Sequence, residues 1–252
     1  MILIVNLMPD KEETENNFRE IFRGINLDFL RMETHNSKNC TLDKLKNYLT
    51  CKEIKEKKYN GAIITGAPLE YIEFHHVDYW EELKEVMDYL EKEVKSTIYI
   101  CWAAQAALYH FYNIDKHLLK EKLFGVYSHD IIKQNSFIEE SFMAPHSRNS
   151  YNKVEEIEAI PELDIIVTSK EAGPYMIAEK TGKKILLTGH GEYQKVRLEK
   201  EYLRDFLLDE KTEKPKNYYD SEDNIIFSWK EHRENFYSNW IKHITRENFF
   251  KK

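Results

Sequence analysis

The stretch Thr97-Ile-Tyr-Ile-Cys101-Trp-Ala-Ala-Gln-Ala-Ala-Leu108 passes from a short apolar run into an Ala-rich helical pattern at a thiol. A brief apolar run with β-branched and aromatic members reads as a buried strand, and the alanines after it favour a helix. A strand that feeds straight into a helix is the repeating unit of a parallel sheet. The residues upstream keep that rhythm. Ile2–Leu7 is an apolar strand candidate ended by Pro9, and Glu12–Arg23 carries Phe18, Ile21 and Phe22 at helical spacing. Leu27–Met32 is a second strand, and Leu42, Leu45, Tyr48 and Leu49 mark a helix running to about Glu56. Gly61-Ala-Ile-Ile-Thr65 is a third strand, closed by Gly66-Ala-Pro68, and Tyr79–Glu93 is an amphipathic helix leading back to Thr97. The expected fold is α/β, a mostly parallel sheet with helices on both faces.

Downstream the pattern loosens. Val126–Ile132 and Phe137–Ala144 read as strands of a hairpin-like β excursion, followed by strands at Leu163–Ser169, Tyr175–Ala178 and Lys184–Thr188. Gln194–Leu208 reads as a helix, residues 209–227 as a polar connection, and a final helix contains Trp229, Phe236, Trp240 and Ile241. No internal repeat or low-complexity linker interrupts the chain, so residues 1–252 are read as one domain.

Composition excludes several classes. The chain has 252 residues, 37 Lys+Arg against 44 Asp+Glu, and a formal charge of −7, with 42% hydrophobic and 32% charged residues. A net-acidic chain without a Lys/Arg cluster is poorly suited to phosphate backbones, so no nucleic acid partner is expected. No apolar run approaches the ~18 residues of a membrane helix, and the start lacks the basic region of a signal peptide. Three cysteines, Cys40, Cys51 and Cys101, are too few and scattered for a disulfide framework or a Cys-rich metal site. A reducing, cytoplasmic setting and no metal follow as expectations.

Cys101 is the thiol with chemical promise. In open parallel sheets ligands bind beyond the carboxyl ends of the strands, which is where Cys101 stands. The helix start after it offers unpaired N–H groups and a positive dipole end, and Ala103, Ala104 and Ala106 keep bulk low around a sharp turn. A buried core cysteine is the plain alternative. Ile185-Leu-Leu-Thr-Gly-His190-Gly-Glu192-Tyr ends another apolar strand in polar residues. If the backbone there is extended, His190 and Glu192 share a face, and a carboxylate that orients an imidazole beside a thiolate is a nucleophilic triad. An ordinary solvated loop is the competing reading. Cys40 and Cys51 read as incidental. The order Cys, then His-x-Glu, on a βαβ scaffold resembles the class I glutamine amidotransferase-like, flavodoxin-like fold.

A closer resemblance rests on a series of motifs in order. They are Asn6-Leu-Met-Pro9 with Glu13-Thr-Glu15, Thr65-Gly-Ala-Pro-Leu-Glu70, Asp78-Tyr-Trp80, Ser96-Thr97 and Cys101-Trp-Ala-Ala-Gln-Ala106. Glu121-Lys-Leu-Phe-Gly-Val-Tyr127, Ala144-Pro-His-Ser-Arg148 and Thr188-Gly-His-Gly-Glu-Tyr193 complete it. Together they resemble the homoserine O-acyltransferases of the MetA type. The resemblance implies acyl transfer from an acyl-CoA to L-homoserine for methionine biosynthesis, through an acyl-cysteine intermediate, with no bound cofactor. By position it implies Cys101 as nucleophile, His190 as general base and acid, and Glu192 as its partner. Lys122, Ser147 and Arg204 fall on substrate-binding positions, and Lys11 on a lysine near the active site. Backbone N–H groups near Trp102 and Ala67 would hold the oxyanion, and the family suggests a homodimer. Bland readings stand beside these: solvated charges for Lys11, Lys122 and Arg204, and a loop hydroxyl for Ser147. Three departures are visible. The extension that members carry before the first strand is absent, Gly191 stands where many carry Pro or Ser, and Ser228-Trp-Lys-Glu-His-Arg-Glu-Asn235 is only partly alike.

The position after Gly66-Ala-Pro-Leu69 separates the family's succinyl-CoA users, with Gly, from its acetyl-CoA users, with Glu. This chain has Glu70. A carboxylate in the acyl pocket repels a succinyl carboxylate: like charges ~4 Å apart at an effective dielectric of ~20 interact by ~4 kcal/mol. The expected donor is acetyl-CoA, unless Glu70 points to solvent. Succinyl-CoA remains the alternative donor. A glutamine amidase shares the fold and the triad, and a non-catalytic binding module shares the fold.

Overall fold

The computed structural model describes residues 1–35 and 45–246. Cys40 and Leu42 lie outside the described residues. The chain begins with β1 (Ile2–Val5), α1 (Lys11–Ile21), β2 (Leu27–Leu30), α2 (Cys51–Ile54) and β3 (Gly61–Ile64). It continues through α3 (Trp80–Glu93), β4 (Ser96–Ile100), α4 (Trp102–Tyr112), β5 (His117–Ile131) and β6 (Phe142–Tyr151). The remainder is α5 (Val154–Glu158), β7 (Leu163–Ser169), β8 (Gly173–Glu179), β9 (Lys184–Leu187), α6 (Arg197–Leu208) and α7 (Lys230–Thr245).

One nine-stranded sheet runs β2-β1-β3-β4-β9-β8-β7-β5-β6. The first five strands in that order pair in parallel, and every pairing beyond β9 is antiparallel. The expected α/β architecture is present, and the β excursion extends the same sheet. Strands β1, β3, β4 and β9 are buried along their whole length, as aliphatic runs covered on both faces must be. Their alternate residues feed two cores. Leu3, Ile64, Tyr99 and Leu186 pack with Leu83, Val86 and Leu90 of α3 and with the alanines of α4. Ile4, Ile63, Ile98 and Ile185 pack with Phe18 of α1 and with Phe236 and Trp240 of α7. The period-2 strands and period-3.6 helices therefore agree about which side each residue covers. Trp240 also donates its indole N–H to the Ser96 hydroxyl at 3.1 Å, which fixes the closing helix against β4.

Two expected elements are different. Leu49, read as helical, bridges Leu30 in extended backbone, donating to the Phe29 carbonyl at 2.7 Å. Helix resumes only at Cys51, where Thr50 and Glu53 form a reciprocal cap, so apolar spacing was overridden by a local start signal. The strand expected at Phe137–Ala144 begins at Phe142 instead. Asn135 accepts from the Phe137 and Ile138 amides at 2.8 Å each, and this turn consumes the donors a strand would need. Among the described residues no helix is long and apolar enough to cross a membrane.

Candidate active site

The carboxyl ends of β1, β3, β4 and β9 open onto one cavity of about 390 Å³. Met8 and Pro9 follow β1, Ala67, Pro68 and Glu70 follow β3, Cys101 follows β4, and His190 and Tyr193 follow β9. Thr65 ties two of these turns together, since its hydroxyl accepts from the Leu7 amide at 2.8 Å. The opposite wall is built from Lys122 on β5, Ser147 on β6 and the charged face of α6.

Cys101 has φ 52° and ψ −115°, a left-handed conformation that a non-glycine residue adopts at a cost of about 1–3 kcal/mol. Hydrogen bonds hold it there. Its amide donates to the Leu187 carbonyl at 2.6 Å, and its carbonyl accepts from Ala104 and Gln105 at 3.0 and 3.3 Å. The result is a strand-to-helix elbow that presents the thiol at the first turn of α4, whose leading N–H groups have no intrahelical acceptor. A Cβ at Gly66 would lie 3.4 Å from both Cys101 Cβ and His190 Cε1, so glycine keeps that approach open.

The His190 Nδ1 to Glu192 Oε1 distance is 2.7 Å, with both side chains buried. The two residues sit in a turn closed by the Tyr193 amide on the His190 carbonyl at 3.1 Å. This corrects the expectation of extended backbone: the turn, not strand alternation, brings the carboxylate to the ring. The His190 amide donates to the Pro145 carbonyl at 2.8 Å, and Tyr193 stacks on the imidazole at 4.2 Å. With Nδ1 committed to Glu192, Nε2 is left for the hydrogen bond between His190 and the Cys101 side chain. Burial alone would push the His190 pKa down. The Cys101 and Glu192 charges and hydrogen bonds outweigh it and hold the imidazole well above its ordinary value. A thiol beside an imidazole, itself oriented by a carboxylate, is equipped for nucleophilic attack on a carbonyl.

The other expected residues separate into two groups. Ala67 and Glu70 are buried on the cavity wall, and Glu70 is 9% exposed, so it does not point to solvent. Lys122 and Arg204 share the Asp205 carboxylate, each at 2.7 Å, and Ser147 hydrogen-bonds Glu201. Trp102 places its indole in the core against Phe74 and Tyr79, leaving only its backbone at the elbow. Lys11 is not brought to this cavity. It lines a separate small one, and its ammonium donates to the Asn6 carbonyl at 2.5 Å, drawn back to the end of β1.

Sequence reasoning missed Glu201 and Arg197. Glu201 is 6% exposed, accepts from Tyr193 at 3.0 Å and from Arg197 at 2.9 Å, and lines the cavity. Burial would raise its pKa, but Arg197, the Ser147 hydroxyl and His190 bring it below the ordinary carboxylate range. Its signal was available: Arg197, Glu201 and Arg204 recur at helical spacing on one face of α6. Among the described residues no group of three or more His, Cys, Asp or Glu side chains is placed to hold a metal ion.

Solved structures with this architecture include a glutamine amidotransferase from Thermotoga maritima, with a TM-score of 0.64 at 15% identity over 97% of this chain and 98% of that one. A glutamine amido transferase from Methylobacillus flagellatus gives 0.62 at 13% identity over 100% and 97%. At those identities the likeness concerns the fold alone. Curated relatives are nearer. A protein of Clostridium tetani named homoserine O-acetyltransferase is 44% identical over 96% of this chain and 84% of its own length. One of Thermotoga petrophila with the same name is 43% identical over 96% and 83%. The family model described as homoserine O-succinyltransferase matches residues 1–249. With nearly the whole length matched, and with the thiol, imidazole and carboxylate gathered at one strand-end cavity, the chain belongs to the homoserine O-succinyltransferase family.

Proposed function

We propose that this chain transfers an acetyl group from acetyl-CoA to the hydroxyl of L-homoserine, through an acyl-cysteine intermediate, giving O-acetyl-L-homoserine for methionine biosynthesis. The observation that carries the reading is a single cavity holding Cys101 and His190, with Glu192 behind the imidazole and a buried Glu70 on the wall. The relatives' printed name, homoserine O-acetyltransferase, supports it.

In the reaction, the Cys101 thiolate paired with the His190 imidazolium attacks the thioester carbonyl. Backbone N–H groups of Trp102 and Ala67 receive the oxyanion. As the tetrahedral adduct collapses, His190 gives its proton to the leaving CoA thiolate. The neutral imidazole then takes the proton of the homoserine hydroxyl while its oxygen attacks the acetyl-cysteine. Collapse of this second adduct expels the thiolate and restores the starting ion pair. Lys122 and Arg204, two cations sharing one carboxylate, bind the amino-acid carboxylate, for which the guanidinium fork is suited. Glu201 is the acidic group on the same wall for the ammonium, and Ser147 adds a polar contact. Lys11, beside the cavity at the end of β1, is near enough to support the wall of Met8, Pro9 and Asp10 without itself lining it. On this reading residues 1–252 form one acyltransferase domain with no bound cofactor, acting in the cytoplasm as a homodimer.

The competing donor is succinyl-CoA, after which the family model is named. Glu70 opposes it by charge and by volume. Assayed side by side with homoserine, acetyl-CoA is expected to exceed succinyl-CoA in kcat/KM by about 100-fold or more, from the few kcal/mol that like charges impose. Glu70→Gly is expected to narrow the gap by at least tenfold. Equal use of the two donors, or a gap unmoved by the substitution, would remove Glu70 as the determinant.

A further inference from the structure

A single hydrogen bond in the plane of an imidazole fixes where the ring points but leaves it free to rock about that bond. At His190 the in-plane bond joins Nδ1 to Glu192 at 2.7 Å. The restraint on rocking lies on the face of the ring. Tyr193 stacks there, with centroids 4.2 Å apart and planes 18° from parallel. Nε2, the atom left to meet Cys101, is therefore aimed by the stack as well as by the carboxylate.

The Tyr193 ring is itself held at both ends. Its amide donates to the His190 carbonyl at 3.1 Å, and its carbonyl accepts from the Trp229 indole N–H at 2.8 Å. At the far end the phenol donates to Glu201 Oε1 at 3.0 Å. Burial and the Glu201 charge raise the Tyr193 pKa, so that proton stays on the phenol. Glu201 is pinned in turn by Arg197 Nε at 2.9 Å and by the Ser147 hydroxyl. The Arg197 guanidinium also stands over the Tyr193 ring, 5.5 Å from its centre. Tyr193 is 5% exposed and lines the substrate cavity, so one side chain joins the imidazole to the α6 wall.

We propose that Tyr193 is a positioning residue that clamps the His190 imidazole with its ring and, through its hydroxyl on Glu201, aligns that imidazole with the wall that receives the amino acid. The proposal rests on the acyl-transfer reading, with His190 as proton carrier and Glu201 as the ammonium site. Its two parts have separate consequences. The ring face acts in both halves of the reaction, because the imidazole protonates the leaving CoA and later takes the homoserine proton. The hydroxyl acts chiefly in the second half, where an acceptor held on the α6 wall must meet the base. Misplacing a reacting group by about 1 Å costs on the order of 100-fold.

The test compares the full-length parent with two variants in single-turnover assays. Tyr193→Leu removes the ring face and the hydroxyl, and Tyr193→Phe removes the hydroxyl alone. CoA release from acetyl-CoA reads the first half, and decay of the acetyl-enzyme on adding homoserine reads the second. Tyr193→Leu is expected to slow both halves by about 10- to 100-fold at saturating substrate. Tyr193→Phe is expected to recover most of the first half, and to lose at least about fivefold more on transfer than on CoA release. Rates for Tyr193→Leu within about threefold of the parent in both halves would overturn the proposal. A Tyr193→Leu loss that saturating homoserine abolishes, or equal losses in both halves for Tyr193→Phe, would do the same. If Tyr193→Leu does not fold, Tyr193→Phe decides: a greater loss on transfer supports the clamp, and equal losses or none contradict it. A parent that completes the transfer while both variants match it removes the clamp alone. A parent that forms no acetyl-enzyme removes the acyl-transfer reading, and the clamp with it.

Discussion

Two sets of histidines are buried in this molecule, and they are held in opposite charge states. His190 closes the parallel half of the sheet at 4% exposure, and His129, His146 and His232 lie in or against the antiparallel half at 0%, 0% and 8%. Burial disfavours the imidazolium in all four. At His190 a thiol on one side and a carboxylate on the other overcome that penalty and raise its pKa. At His129 and His232 burial prevails, and the values fall to about 4 and about 3. His232 stacks on Phe142 at 3.5 Å with rings 4° apart, and its Nε2 lies 3.4 Å from the Tyr175 hydroxyl. Partners, rather than depth, decide which ring carries a proton and can move it.

The sharpest way to break the contrast is to remove the partner while keeping its shape. Glu192→Gln leaves His190 buried with a neutral neighbour, which moves it towards the state of His129. Loss of the orienting carboxylate is expected to lower kcat by about 10²- to 10⁴-fold with the fold intact by circular dichroism. A decline of less than about tenfold would mean that Glu192 is not the group that charges the imidazole.

A smaller effect tests the other set. A raised folded pKa, as at His190, contributes stability that is present below the unfolded value of ~6.5 and is lost as pH rises through the folded value. The depressed values at His129 and His232 do the opposite. Their contribution is complete above pH ~6.5 and is lost as pH falls towards about 4 and about 3. His232→Phe keeps a ring on Phe142 and removes one of these sites. Denaturant titrations between pH 6.5 and 4 are expected to show a shallower loss of stability, by about one proton per molecule, with little change in activity at neutral pH. A pH slope equal to the parent's would show that His232 is not held neutral by the fold.

The same contrast explains what could be read from the chain beforehand. Cys101 was legible because an apolar run stops at it and alanines follow, a pattern that a strand entering a helix satisfies. Its left-handed backbone was not, since nothing local to Ile100-Cys101-Trp102 demands φ 52°; the bonds to Leu187, Ala104 and Gln105 impose it. His190 and Glu192 were legible as neighbours, but a turn produces the contact that extended backbone was expected to make. Glu201 and Arg148 were hidden for a common reason. A charge on a helix or in a strand is ordinarily solvated, and only tertiary packing buries these two, Glu201 on the cavity wall and Arg148 away from it. Lys11, which the resemblance puts near the active site, donates to the Asn6 carbonyl at the end of β1, next to the cavity-lining Met8, Pro9 and Asp10 but not on the lining itself. The helix expected up to Glu56 failed where Thr50 and Glu53 cap a short turn, because a local hydrogen-bond pair outweighs apolar spacing.

On this mechanism Cys101 carries the acyl group between the two substrates. Intact-protein mass spectrometry after mixing with acetyl-CoA alone tests it most directly. A mass increase of one acetyl group is expected, mapping to Cys101, disappearing on addition of homoserine with release of O-acetylhomoserine, and absent from Cys101→Ala, which is also expected to show no turnover. Acyl transfer retained by Cys101→Ala, or an acetyl group that maps elsewhere and is still passed to homoserine, would contradict it.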